Sequence, residues 1–206
     1  MASTRPYRLK NCLLISFLCF FAFSLLQGQS LEEIERNTEE VDNVLEKAKQ
    51  ADGDSERETL AVQSLSMARS LRYDGGIARA SILLGEIYAR SGKTSEALQH
   101  YLEAEAKMEA AGNRPALLAI RTALGDIFFH EKLYGTARRY YDAVLRLKPQ
   151  DYLTKEKAAD ASLYDMHFDS AEVYYKELII KYREEGNFPR LVKIYQKLAR
   201  AYDENG

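Results

Sequence analysis

The chain has 206 residues, 46% of them apolar and 29% charged, with a net charge of −2. That is enough apolar material for one core, and a charge too balanced for the basic stripe of a nucleic-acid binder. Four prolines and no tryptophan, with fourteen tyrosines, leave few helix breakers and favour helices throughout.

Residues 1–30 stand apart from the rest. Arg5, Arg8 and Lys10 precede a charge-free run from Cys12 to Leu26, and Gly28-Gln29-Ser30 follows with small residues at alternate positions. This is the three-part pattern of a secretory signal peptide, cleaved after Ser30 or nearby; a bilayer span needs about 20 apolar residues and this run is shorter. The expectation is an exported protein, periplasmic or membrane-associated, touching a membrane only through this segment if it is retained. Residues 31–206 keep all 31 acidic residues and 26 basic ones, net −5, and neither cysteine. Their stability must come from packing rather than disulfides.

In chain order, residues 31–51 read as a charged, amphipathic lead helix closed by Ala51-Asp52-Gly53-Asp54. Ser55 is placed as the N-cap of a helix to about Tyr73. Further helices are expected at 77–91, 94–111, 115–131, 134–147, 151–165, 168–185 and 188–204. Gly92, Gly112 and Gly186 serve as C-terminal stops, and Pro115 and Pro189 fit first turns.

The helices repeat. Leu84-Gly85-x-x-Tyr88 aligns with Leu124-Gly125-x-x-Phe128 and Leu198-Ala199-x-x-Tyr202. Ala97 and Tyr101 follow the first glycine at the spacing at which Ala137 and Tyr141 follow the second. Ala171 and Tyr175 lie 34 residues further on, and Pro149 follows Ala137 by twelve. Gly112-Asn113-x-Pro115-x-Leu117-x-x-Ile120 returns 74 residues later as Gly186-Asn187-x-Pro189-x-Leu191-x-x-Ile194. These residues resemble the tetratricopeptide repeat, whose pattern is W-x2-L-G-x2-Y, then A-x3-F, then P. The resemblance covers about residues 38–206. It departs at the Trp position, held by Ser81, Arg121, Lys155 and Tyr195, and in the third unit, where Ala158-Ala159 and Ser162 replace Leu-Gly and Tyr.

The resemblance implies an all-α, right-handed superhelix of stacked antiparallel helix hairpins. It divides the chain into a leader helix and divergent first hairpin over 31–75, and an array over 76–206. Two units run to 40 residues, like the repeats in sensory front ends of bacterial signalling proteins. Gly206 falls where the two helices of a repeat would turn. The last repeat is therefore read as incomplete: either its lone helix caps the array, or the sequence is the front of something longer, and the second is preferred. Glycines and alanines at the repeat positions let helices approach, and the aromatics are expected to fill the space between hairpins.

Chemical motifs are weak. Gly92-Lys93-Thr94 resembles the end of a phosphate loop, but Ile87 stands where that motif needs glycine, so it is read as a turn with Thr94 as N-cap. His130 and Asp126 share a helix face without a third ligand. His100 and His167 are isolated. There is no nucleophile–base pattern, so the reading is a non-enzyme without cofactor or metal. The remaining candidate is a groove for a protein or peptide. In the family, contacts come from the first helix of each repeat. Carried over, these positions are Arg79, Glu86 and Arg90; Thr122, Asp126, Phe129 and His130; Glu156, Asp160, Leu163 and Tyr164; and Lys193, Gln196 and Arg200. Glu86, Asp126 and Asp160 occupy the same position in consecutive units. A peptide with basic and apolar residues is therefore expected rather than a C-terminal carboxylate.

Overall fold

The computed structural model describes Ser30 and residues 32–205; apart from Ser30, the expected export leader lies outside the described residues. Among the described residues there are nine helices and no strand. Helix α1 covers residues 32–50, and α2 Asp54–Ser70, α3 Asp74–Arg90, α4 Thr94–Ala110 and α5 Arg114–His130 follow. Then come α6 Tyr134–Leu147, α7 Tyr152–Tyr164, α8 Phe168–Glu184 and α9 Phe188–Asn205. Each helix packs chiefly on its neighbours in sequence, which makes the molecule an all-α solenoid of hairpins.

The core is passed from hairpin to hairpin. Val41, Leu45 and Ala48 of α1 pack with Ala61, Leu65 and Ala68 of α2 and with Ile77, Leu84 and Ile87 of α3. Ala78 of α3 joins Tyr101, Ala104 and Met108 of α4 and Leu117, Ile120 and Leu124 of α5. Tyr141 and Leu145 of α6 meet Ala158 and Ala161 of α7. Ala159 and Leu163 of α7 meet Tyr175 and Leu178 of α8 and Ile194 and Leu198 of α9. No single hairpin covers its own apolar face.

The close approach expected at the repeat glycines is there. A Cβ built on Gly125 would lie 2.5 Å from the Tyr141 ring, and one on Gly85 would lie 3.0 Å from Tyr101. Ala97, Ala137 and Ala171 are fully buried on the facing helices. The tyrosines have two roles. Tyr101 and Tyr141 lie over the glycine of their own hairpin, where the absent side chain makes room for the ring, and also pack on α5 and α7 of the next hairpin as expected.

Six of the turns share one device. Tyr73, Lys93, Asn113, Leu133, His167 and Asn187 each donate a backbone N–H to the carbonyl five residues back, at 2.8–2.9 Å. The residue before each has positive φ: Arg72, Gly92, Gly112, Lys132, Met166 and Gly186. This left-handed closure ends α2, α3, α4, α5, α7 and α8 and reverses the chain there, whereas α6 ends at Lys148 with φ of −140°. The three glycine stops are as expected; Arg72, Lys132 and Met166 close their turns without glycine. Two expected caps are corrected. α2 begins at Asp54 with Gly53 as N-cap, so Ser55 lies inside the helix. α4 begins at Thr94 with Lys93 as N-cap, and the Thr94 hydroxyl instead donates to Glu131 at 3.3 Å. Asn113, Asp151 and Asn187 are the true side-chain caps, accepting from the backbone N–H of Ala116, Thr154 and Arg190 at 3.2, 3.2 and 3.3 Å.

Candidate peptide groove on the first-helix face

Helices α3, α5, α7 and α9 open their hairpins and present one shared face. At its centre is a cavity of about 360 Å³ lined by Asp126, Phe129, His130, Tyr141, Lys157 and Asp160. A second hollow of about 270 Å³ lies beside it, lined by Leu153, Glu156, Lys157, Asp160, Arg190 and Lys193. The two share Lys157 and Asp160, so they form one continuous groove from α5 to α9.

The polar floor of the groove is a ladder. Asp126 accepts from the Tyr141 hydroxyl at 2.8 Å and from Lys157 Nζ at 2.7 and 2.6 Å. Asp160 accepts from the Tyr175 hydroxyl at 2.8 Å and from Lys197 Nζ at 2.7 Å. Each acid thus takes one hydroxyl from its own hairpin and one ammonium from the first helix of the next. Lys157 and Lys197 each stand two residues before the repeat alanine, Ala159 and Ala199, and so reach back one unit. Burial, reinforced by the neighbouring carboxylate, pushes the Tyr141 and Tyr175 phenols far above their ordinary range. Each therefore stays a donor.

Aromatic rings close the α5–α7 side. Tyr134 stacks on Tyr164 with centroids 5.0 Å apart, and Phe129 meets both edge-on at 5.2 and 5.7 Å. The Arg200 guanidinium lies 5.3 Å from the Tyr164 centroid. Glu156 accepts from Tyr182 and Lys197 at 3.2 and 3.3 Å, and Arg190 lies 3.8 Å away.

The structure sorts the sequence-derived groove residues. Asp126, Phe129, His130 and Asp160 line the central cavity, and Glu156, Asp160 and Lys193 line its neighbour. Tyr164 and Arg200 belong to the aromatic edge. Glu86 and Gln196 are exposed on α3 and α9, and Glu86 has no ion-pair partner among the described residues. Arg79 is turned to the other end of the array, bonded to Asp42 of α1 and to the Tyr73 hydroxyl. Arg90 pairs with Asp54 at 3.3 Å, and the Thr122 hydroxyl donates to its own helix at the Leu118 carbonyl. Leu163 is a correction: it is 3% exposed and sits in the core, because α7 rotates that position toward α8.

Sequence reasoning misses Tyr141, Lys157, Lys197, Tyr134 and Arg190. By repeat position Tyr141 reads as core alone, although its hydroxyl reaches the groove. The lysines can be found by asking which cation, one repeat on, could neutralise each groove acid. Among the described residues no three His, Cys, Asp or Glu side chains converge as metal ligands, and no helix is long and apolar enough to cross a membrane.

Comparison with known proteins points the same way. The family model for the tetratricopeptide repeat matches residues 76–150. No curated protein matches the chain. Among solved structures it is similar to nearly identical TPR-like repeats assigned to a kinesin light chain of Podosopora anserina, at 15% identity and TM-score 0.62. That match covers 84% of this chain and 87% of the other, and a substituted form of the same protein matches equally. It is also similar to a signal transduction ATPase with numerous domains from Pyrococcus horikoshii that carries a tetratricopeptide repeat sensor. There the identity is 18% and the TM-score 0.61, over 86% of this chain but only 28% of that one. The model match, the hairpin solenoid and the ring-over-glycine packing agree: residues 76–150 carry tetratricopeptide repeats, and the chain folds as a tetratricopeptide-like solenoid.

Proposed function

We propose that this protein is a non-enzymatic scaffold that holds a protein or peptide partner in the groove between α5 and α9, and that it acts outside the cytoplasm. Tetratricopeptide repeats generally mediate protein–protein interaction and are generally not catalytic. The observation that carries the reading is the central cavity, where a donor–acceptor ladder floors a space walled by Phe129 and Tyr141. About 360 Å³ suits one large side chain of a partner. Asp126 and Asp160 are already matched by lysines, so the cavity favours an apolar or aromatic anchor. Preference for a basic residue falls to Glu86, one unit away, whose charge is unmatched by any cation of the groove.

The test is a peptide-library screen against the purified protein. Phe129→Ala and the Asp126→Lys/Asp160→Lys pair should each weaken the selected peptide about tenfold, on the order of 1.4 kcal/mol. Unchanged affinity in all variants would overturn the groove assignment. Export is tested separately, by fusing residues 1–40 to a phosphatase reporter that needs an oxidising compartment for its disulfides. Activity supports extracytoplasmic action, and an inactive but stable fusion opposes it.

A second reading is that the array is the sensory region of a larger signalling protein. It is favoured by the likeness to a signal transduction ATPase with a tetratricopeptide repeat sensor, of which the match covers 28%. Kinase, cyclase or regulator motifs downstream in the same reading frame would support it, and a stop codon after Gly206 would oppose it.

A further inference from the structure

A second cavity, of about 510 Å³, lies between α4 and α6 with α5 as its floor. None of its lining residues belongs to the groove described above. Its origin is a break in the repeat. Tyr174 of α8 donates its hydroxyl to Asp142 of α6 at 2.7 Å and so fills the space between those two second helices. The equivalent of Tyr174 one unit earlier is Tyr140, and the equivalent of Asp142 on α4 is Leu102. The acid that faces Tyr140, Glu105, is bonded to Arg121 and leaves the hydroxyl without an acceptor. The Tyr140 ring stacks on Phe128 at 5.4 Å, and its hydroxyl makes no hydrogen bond among the described residues.

The two walls differ in charge state. On the α4 side, Glu105 and Glu109 are both engaged by Arg121, at 2.6 and 3.0 Å. On the α6 side stand Arg139 and Arg146, seven residues apart and so on one helix face. Arg139 bonds only the Thr136 hydroxyl, at 3.2 Å. Neither arginine has an ion-pair partner among the described residues. The same two positions hold Gln99 and Ala106 on α4, and Val173 and Ile180 on α8. Paired arginines thus mark α6 against its neighbours, at the junction that is left open.

We propose that this cavity is a second docking site, which takes an acidic segment of a partner protein. Two carboxylates of the segment pair with Arg139 and Arg146, and an adjacent aromatic or aliphatic side chain enters against Phe128 and Tyr140. The guanidinium fork suits carboxylates bidentately, and the Tyr140 hydroxyl supplies a further donor. The α4 wall keeps one net negative charge, two glutamates against Arg121, and the two arginines of α6 outweigh it.

The experiment uses the purified protein and a fluorescein-labelled Glu-Glu-Leu-Glu-Glu-Tyr peptide, read by anisotropy at low and moderate salt. The matching peptide with Gln for every Glu is the control. The glutamate peptide should bind saturably and more weakly as salt rises, and the control should bind at least about tenfold more weakly. Arg139→Glu/Arg146→Glu, at exposed positions that should leave the fold intact, should cost about tenfold or more. Leu102→Asp, which restores the acceptor that Tyr174 enjoys and adds a negative wall, should weaken binding as well. Asp126→Lys, in the other groove, should not. Equal binding of the two peptides, or of wild type and the double arginine variant, would overturn the proposal, as would loss caused by Asp126→Lys alone.

Discussion

The two ends of the first-helix face use the same repeat position differently. At α5 and α7 the acid is matched twice, by a tyrosine hydroxyl from its own hairpin and a lysine from the next unit: Asp126 with Tyr141 and Lys157, Asp160 with Tyr175 and Lys197. At α3 the acid is Glu86. Ala123 stands where the next unit would supply the lysine, and the Tyr101 hydroxyl makes no hydrogen bond among the described residues. Repeat phase therefore decides which positions face the groove, but not whether their charge is free. A matched acid is a structural rung, and an unmatched one is available to a partner.

Alkaline unfolding should expose that difference most strongly. Burial raises all three phenols, Tyr101 to about 12 with help from the Glu86 charge, and Tyr141 and Tyr175 beyond that with help from Asp126 and Asp160. A phenol whose folded value lies above its unfolded value of 10.0 contributes stability that is complete below about pH 10. That stability is lost as pH rises toward the folded value. Each such phenol should remove about 1.4 kcal/mol per pH unit above 10. Urea midpoints should fall steeply from about pH 9 to 11.5, each single Tyr→Phe variant should flatten the fall, and the effect of Tyr101→Phe should level off near pH 12, where its own phenol ionises in the folded state, before those of Tyr141→Phe and Tyr175→Phe. A flat profile would sink the account of buried neutral phenols.

The glycines sharpen the same contrast. Gly125→Ala forces the Tyr141 ring to shift, since the new methyl would lie 2.5 Å from it, and should cost about 1–3 kcal/mol. Gly85→Ala meets Tyr101 at 3.0 Å, so the gain in helix propensity, about 1 kcal/mol, offsets most of the smaller clash. Denaturant titration of the two variants should separate them. Equal losses would mean that the rings give way alike.

How much of this is legible in the sequence follows from what sets each feature. Gly85, Gly125, Ala97 and Tyr175 are readable because close approach admits very few residue types, so the packing rule leaves a mark at fixed spacing. Helix ends at Gly92, Gly112 and Gly186 are readable for the same reason. Met166 and Lys132 are not, because a non-glycine residue in the left-handed region carries no local signature and is held there by the surrounding turn. Most groove positions fall on or beside the face as family register implies. Arg79, Arg90, Thr122 and Leu163 go elsewhere, because each finds a nearer partner: Asp42, Asp54, the Leu118 carbonyl and the core. The lysine rungs need a cross-repeat pairing argument, which periodicity within one helix cannot provide.

The rungs themselves are a smaller effect. Tyr141→Phe and Tyr175→Phe should each cost about 1 kcal/mol at neutral pH, the usual net value of a hydrogen bond, and Tyr101→Phe should be nearly silent. Lys157→Met should cost less, under about 1 kcal/mol, because the ammonium is partly solvated and the Tyr141 hydroxyl remains on Asp126. It should nevertheless change the groove by leaving Asp126 short of a cation. If rungs are structural and unmatched acids are functional, that variant should gain affinity for basic peptides while losing little stability. Thermal unfolding beside peptide anisotropy tests both halves, and a large stability loss without an affinity change would break the distinction.

The smallest effect separates turn strain from the face altogether. Met166 is 73% exposed, has φ of 58° and closes α7 with the bond from His167 N–H to the Ser162 carbonyl at 2.8 Å. A side chain in the left-handed region costs about 1–2 kcal/mol, and glycine there gives up part of that gain in unfolded-state entropy. Met166→Gly should therefore stabilise by about 0.5–1 kcal/mol. Because Met166 touches neither rung nor groove, the gain should come with unchanged peptide binding. Gly186→Ala, at a φ of 65° with open space around it, should lose a similar amount through the same turn geometry. Opposite signs at these two positions would show that the hairpin turns carry an energy term independent of the ladder. A Met166→Gly variant no more stable than wild type would mean that the turn at α7 is held without strain by packing around Phe168.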